Sequence, residues 1–391
     1  MTWNPLALPA QTGKIFVVTG ANAGLGYFAS EQLAGAGAHI VLACRNPART
    51  DAALAALRGR VPGASVSSLL LDLADLESVR TAAAALLVLP RIDGLILNAG
   101  IVHPPRDRQV SLDGNELVFA TNYLGHFALT ALVLPALLRT PGSRIVALGS
   151  MISRLMDSSL DDLQLEMSYN GLKAYAQSKI AAQVFGFELD RRLRASGAGR
   201  AVEVDGASRV DSAGEVDGAG RVDSAGEVGS AGRVGSAGEV GSAGEVAGAG
   251  RVDSAGEVAG ASRADGVSGT AGVSGAAGVD GTGGVLALVA HPGYSISGLT
   301  PGIRGVNEPS RAKRFADSLQ AVGAQGKDRG AWPIVRAAID PCAVGGQYFG
   351  PRFLTQGRPV LQTPTRTSLD RAIASRLWSR SEGLIGATFR P

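Results

Sequence analysis

Short apolar runs and helix-like amphipathic runs alternate along most of this chain. The apolar runs fall at residues 15–18, 39–43, 66–71, 94–97, 143–148 and 285–290, with 347–349 a candidate seventh. Helical spacing of apolar positions covers 27–36, 48–58, 76–87, 114–138 and 174–195. Short, continuously apolar strands separated by helices predict a parallel sheet covered on both faces. Right-handed crossovers then give an α/β, doubly wound sheet. Such sheets bind ligands beyond the carboxyl ends of their strands. That rim carries the glycines of residues 20–26, Cys44-Arg45, Asp72, Asn98 to Gly100, Ser150 and His291-Pro292-Gly293.

The alternation breaks once. Residues 206–265 divide into ten consecutive hexapeptides of the type SAGEVD, and biased sequence continues to about 284. Setting aside 200–284 leaves 306 residues, 1–199 and 285–391, which suit one domain. The repeat is rich in Gly, Ala and Ser and lacks aromatics, which predicts disorder. A β-solenoid is the rival, but one Val per hexapeptide is thin packing material. The insertion falls between the helix ending near 195 and the sixth strand, so it leaves from the edge remote from the ligand rim.

Composition excludes several classes. A formal net charge of +3 is too small to argue for nucleic acid. The four histidines are scattered without metal-ligand spacing, so no metal is expected. No uninterrupted apolar run reaches the length of a membrane helix, and the first residues show no signal-peptide pattern. With two cysteines only, a reducing cytoplasm is the expected compartment.

The first strand runs into Thr19-Gly20-x-x-x-Gly24-x-Gly26, a glycine-rich turn feeding a helix expected to open near Tyr27. Unpaired N–H groups and the positive dipole end of such a helix suit a phosphate. Two Tyr-x-x-x-Lys pairs follow, Tyr169 with Lys173 and Tyr175 with Lys179. Residues four apart share a helix face, and a cation beside a phenol favours the phenolate. Gly171 interrupts the first pair, whereas Tyr175 opens a run of steady helical periodicity, so the second pair is chosen.

Together these features resemble the short-chain dehydrogenases/reductases. The carriers are the Thr19 to Gly26 spacing, Asp72 after the third strand, Asn98-Ala99-Gly100, Asn122 in Thr-Asn-Tyr-Leu-Gly-His-Phe, and Ser150 ahead of Tyr175-x-x-x-Lys179. The segments around Arg45, His126, Phe187 and Tyr294 resemble the retinol-dehydrogenase-like branch of bacterial oxidoreductases. The resemblance implies a Rossmann-like domain and hydride transfer between a nicotinamide cofactor and an alcohol or carbonyl. It implies Tyr175 as general acid/base, Lys179 lowering its pKa, Ser150 on the substrate oxygen and Asn122 holding a relay water. It implies a cofactor set of Thr19, Gly20, Asn22, Gly24, Leu25, Gly26, Arg45, Asp72, Leu73, Asn98, Ala99, Gly100, Tyr175, Lys179, Pro292 and Gly293. Gly149, where a second serine is common, and Ser297, where a threonine is frequent, are departures.

Cys44 stands where an acid would bind the ribose hydroxyls of NAD, and Arg45 follows it, so NADP is preferred with NAD still accommodated. His126 and His291 are read as structural. The resemblance implies a small, lipophilic substrate, expected to meet the Gly-, Pro- and Ser-rich segment 293–326, read as mobile. Pairing of like subunits through 114–138 and 174–195 is common in the family, and the oligomeric state stays open. Three alternatives remain: an idle dinucleotide sensor, an alkene reductase resembling protochlorophyllide reductase, and an interaction protein working through its repeat.

Overall fold

The computed structural model describes residues 3–199 and 283–391. The hexapeptide repeat, with the disorder expected of it, lies outside the described residues. Its flanks are described. Gly199 bridges to Val285 in parallel, and the Gly142 N–H donates to the Gly283 carbonyl at 3.0 Å. Both flanks therefore sit at the amino end of the sixth strand.

Strands β1 (Ile15–Thr19), β2 (His39–Cys44), β3 (Ser65–Leu70), β4 (Gly94–Leu97), β5 (Arg144–Leu148) and β6 (Leu286–Ala290) form a parallel sheet with helical crossovers. The helices between them are α1 (Gly24–Gly35), α2 (Pro47–Arg60), α3 (Leu76–Leu87), α4 (Leu117–Leu138) and α5 (Gly171–Ala195). After β6 come a two-stranded ribbon of β7 (Ser295–Ile296) and β8 (Gln325–Gly326), with α6 (Arg311–Ser318) between them. Then follow α7 (Trp332–Ile339), β9 (Tyr348–Pro351), β10 (Pro359–Leu361) and α8 (Arg371–Ile385). Among the described residues the sheet order is β10-β9-β6-β5-β4-β1-β2-β3, with only β10 antiparallel. The order reverses between β1 and β4, which opens a crevice at their carboxyl ends.

Several expectations shift. The segment 293–326 carries β7, α6 and β8, where no regular elements were read. The helix after the glycine turn opens at Gly24 rather than Tyr27, so the last two glycines of the turn belong to its first turn. The helix expected over 114–138 begins at Leu117 and passes through a π-helical turn at Ala120–Leu124. It is long and apolar enough to cross a membrane, yet 83% of its most apolar window is buried within the fold.

Each face of the sheet has its own core. On one, Phe16, Tyr27, Phe28, Leu42 and Ile334 pack under α1, α2 and α7. On the other, Phe119, Tyr123, Phe127 and Phe185 of α4 and α5 meet Trp378 of α8 and Phe389 beyond it. Trp378 stacks on Phe389 at 4.8 Å, and the Arg192 guanidinium lies 4.2 Å over its ring. The faces of α4 and α5 that carry these aromatics are thus covered by α8.

Candidate active site

Over the crevice lies a cleft of about 950 Å³. Its walls hold Gly20, Asn22, Gly24, Leu25, Arg45, Asp72, Leu73, Asn98, Ala99, Gly100, Ser150, Tyr175, Lys179, Pro292 and Gly293. Thr19, Gly26 and Asn122 were read as site residues too, but they are buried just behind the wall. Tyr169 and Lys173 are not part of it. Tyr169 donates to the Pro105 carbonyl at 3.3 Å, and Lys173 is exposed.

The glycine turn is a cradle that side chains would fill. Gly20 has φ +66°, and a Cβ there would come within 2.9 Å of Ala99. A Cβ on Gly26 would lie 2.4 Å from Asn98 Nδ2. Helix α1 has no side-chain cap at Ala23 and no acidic residue in its first turn. Its positive end faces the cleft without a protein counter-charge, an arrangement that fits a diphosphate. Asn98 braces the turn, donating through Nδ2 to the Thr19 carbonyl at 2.7 Å. Asp72 uses its carboxylate locally, accepting from the Ala74 N–H at 3.0 Å. Cys44 is buried, its thiol directed at the backbone of Gly20 to Asn22, and burial pushes its pKa up. The exposed cations at this end of the cleft are Arg45 and Arg49, the latter missed in the sequence.

At the other end, the Tyr175 hydroxyl stands 3.5 Å from Ser150 Oγ. The buried Lys179 ammonium donates to the Leu148 carbonyl at 3.1 Å. Desolvation pushes Lys179 down to about 8, and burial raises Tyr175. The depression of Tyr175 expected from Lys179 is thus not seen in this geometry, because the ammonium is turned to the main chain. Asn122 holds the loop after β4: its Oδ1 accepts from the Ile101 N–H at 2.6 Å, and its Nδ2 donates to the Ile101 carbonyl. Nδ2 also donates to Ser178 Oγ at 2.9 Å, and Ser178 donates to the Tyr175 carbonyl. These bonds set Asn122 where a π turn brings it inward.

One positioning residue, Gln183, was missed. Gln183 Nε2 reaches the Ser150 carbonyl at 3.2 Å, Ser153 Oγ at 2.8 Å and Tyr348 Oη at 3.1 Å. A Cβ on Gly149 would meet Gln183 Nε2 at 2.4 Å, which explains the glycine where a serine is common. Its spacing four residues beyond Lys179 was the available signal. His126, read as structural, joins Thr19 Oγ1 at 2.8 Å to the Asn122 carbonyl at 3.2 Å. Burial pushes its pKa down to about 3, so it is neutral. A carbonyl only accepts, so Nδ1 carries the proton and Nε2 accepts from Thr19. His291 is buried against Tyr348, as its structural reading expects.

Residues 14–206 match the family described as short chain dehydrogenase. The chain is 41% identical to human Retinol dehydrogenase 13 over 187 residues, 47% of this chain and 56% of that protein. It is 38% identical to Polyprenol dehydrogenase of Mus musculus over 201 residues, 50% of this chain and 59% of that protein. A solved structure of an uncharacterized protein from Mycobacterium Paratuberculosis superposes with a TM-score of 0.63 at 27% identity, covering 100% of this chain and 99% of its own. The fold, the cleft and these matches define the chain as a member of the short-chain dehydrogenase/reductase family. Within the family it is retinol-dehydrogenase-like. It spans a little over half the length of the curated relatives it matches.

Proposed function

We propose that this chain is an NADP-preferring oxidoreductase that interconverts a lipophilic alcohol and its carbonyl compound. The observation that carries the reading is the convergence of Tyr175, Ser150 and Lys179 on one cleft whose far end is the glycine cradle. A nicotinamide dinucleotide held along Gly20, Asn22, Leu25, Asp72, Asn98 and Pro292 would supply the hydride. Tyr175 gives its proton to the carbonyl oxygen in reduction and takes it back in oxidation. Ser150 donates a hydrogen bond to the same oxygen as charge develops. Lys179 is protonated below about pH 8, and its charge favours the phenolate once Tyr175 has given up its proton. Asn122 braces Tyr175 through Ser178.

Val102, Met151, Ile152, Leu155 and Ile296 line the reacting end and support an apolar substrate. The names of the two relatives, for retinol and polyprenol, point the same way. Cys44 and Cys342 are both free thiols, which supports a reducing cytoplasm as the place of work. Residues 1–199 and 285–391 act in this reading as one domain, with 200–284 an insertion.

A panel of long-chain aldehydes, ketones and conjugated alkenes, run with NADPH and NADH in parallel, tests the proposal. Tyr175→Phe is expected to lower kcat on the carbonyl substrates by roughly 10²- to 10⁴-fold while NADPH still binds. An equally active Tyr175→Phe protein overturns the mechanism. Turnover of alkenes alone moves the chain to the alkene reductases.

A further inference from the structure

The cleft contains cations that none of the features used so far accounts for. Lys313 and Lys327 line it, both from the segment that follows β6. Lys313 is taken by Asp317, whose two carboxylate oxygens lie 2.5 and 2.7 Å from its Nζ. Asp317 also accepts the Gly298 N–H at 2.7 Å. Lys327 differs. It is half-buried, and among the described residues no acceptor lies within hydrogen-bonding distance of its Nζ.

The surroundings aim Lys327 at the glycine turn. A Cβ built on Gly24 would lie 3.8 Å from both Cδ and Nζ of Lys327. The lysine thus stands over the first turn of α1, against the cradle already described. Its backbone is fixed from two sides. The Lys327 N–H donates to Thr300 Oγ1 at 2.8 Å, and Gln32 of α1 donates to the Asp328 carbonyl at 2.8 Å. A Cβ on Gly330 would come within 2.9 Å of Leu25, so the turn that carries Lys327 is packed directly on α1. Desolvation and the neighbouring Lys313 push the Lys327 pKa down against the opposing pull of Asp317, the direction expected of an ammonium held in a partly dry site.

We propose that Lys327 is a diphosphate ligand of the dinucleotide, closing from the C-terminal segment the anion site that the glycine turn opens. The assignment rests on the oxidoreductase reading above. A diphosphate lying on the N–H groups of Gly24 and Leu25 would be met from the opposite side by the Lys327 ammonium. Asp317 keeps the second lysine neutralised, so the site presents one uncompensated charge rather than two. The segment between β6 and α7 is thereby tied to cofactor occupancy through a single side chain.

Binding is the readout. The full chain, Lys327→Gln and Lys327→Arg are titrated calorimetrically with NADPH, ADP and adenosine. Lys327→Gln is expected to weaken NADPH and ADP about tenfold and to leave adenosine unchanged, since a charge-assisted hydrogen bond to the diphosphate is lost. Lys327→Arg is expected to stay within about threefold of the unmodified protein. NADPH and ADP affinities in Lys327→Gln equal to those of the unmodified protein, with unchanged thermal unfolding, would overturn the assignment alone. Failure of the unmodified protein to bind any nicotinamide dinucleotide would overturn the functional reading with it.

Discussion

The His126 imidazole accepts a hydrogen bond from the Thr19 hydroxyl at 2.8 Å, and so ties the end of β1 to the π turn of α4. Thr19 in turn accepts from the Ala99 N–H at 2.9 Å. One buried ring thus connects the strand under the glycine cradle to the carbonyl of Asn122. Replacing it with an apolar side chain would remove both of its contacts, leaving Thr19 Oγ1 with the Ile96 carbonyl at 3.3 Å and the Ala99 N–H. His126→Leu is expected to cost about 2 kcal/mol in urea unfolding, the worth of two hydrogen bonds. His126→Gln, which both donates and accepts, is expected to cost less. A leucine variant as stable as the glutamine one would show that the two contacts carry no stability.

Two buried histidines set an acid limit. Burial holds His126 at about 3 and His291 at about 4, against about 6.5 unfolded. Between pH 6.5 and about 4 the unfolded chain binds protons that the folded chain does not. Stability is therefore present above pH 6.5 and falls as pH drops, by up to about 1.4 kcal/mol per pH unit for each histidine. Urea midpoints from pH 7 to 4.5 check this. His126→Gln should flatten the slope by about one proton. A slope identical to that of the unmodified protein would remove His126 from the account.

On the proposed reading, cofactor choice turns on Arg45 and Arg49, the exposed cations beside the buried Cys44 at this end of the cleft. Both arginines are exposed, so their pull on a 2′-phosphate is screened by salt. The Arg45→Ala, Arg49→Ala double variant is expected to weaken NADPH about tenfold at low ionic strength and to leave NADH nearly unchanged. Fluorescence titration at two salt concentrations measures both. Parallel losses for the two cofactors would remove the arginines from the selection.

The helix α8 packs across α4 and α5. Tyr123 and Ser381 hydroxyls meet at 2.7 Å, and Trp378 lies edge-on to Phe127 with ring centres 5.1 Å apart. The full chain is expected to sediment without pairing through α4 and α5. Trp378→Ala should cost about 3–5 kcal/mol and promote self-association as this face opens. Light scattering distinguishes the outcomes. A full-length dimer cross-linked through α5 would contradict this arrangement.

What could be read from the sequence was what local chemistry encodes. Apolar runs of β1, β2 and β4 to β6 follow from burial on both faces, and Gly20 to Gly26 from backbone angles that side chains forbid. Tyr175 and Lys179 share a helix face by spacing alone. The π turn at Asn122 was not legible, since Ala120–Leu124 has ordinary helical composition and the turn accompanies bonds to Ile101 and Ser178, both distant in sequence. Lys327 gains its setting only when a Gly- and Pro-rich segment folds back on α1. Nor could α8 be assigned to the α4 and α5 face, because Trp378 and Phe185 are nearly two hundred residues apart.

The insertion is the last case. The Val285 N–H donates to the Ala198 carbonyl at 2.9 Å, and Gly199 bridges to Val285. The two ends of the domain are thus already joined by main-chain hydrogen bonds before any residue of 200–282 is considered. Replacing 200–282 with a linker of about four Gly and Ser residues closes the gap at small entropic cost, since closure entropy grows only as the logarithm of loop length. The shortened protein is expected to unfold within a few degrees of the full chain, and to keep its NADPH affinity. Differential scanning calorimetry and the same binding titrations decide it. Loss of folding would show that residues 200–282 belong to the domain, and unchanged folding with lost activity would assign them a part in catalysis.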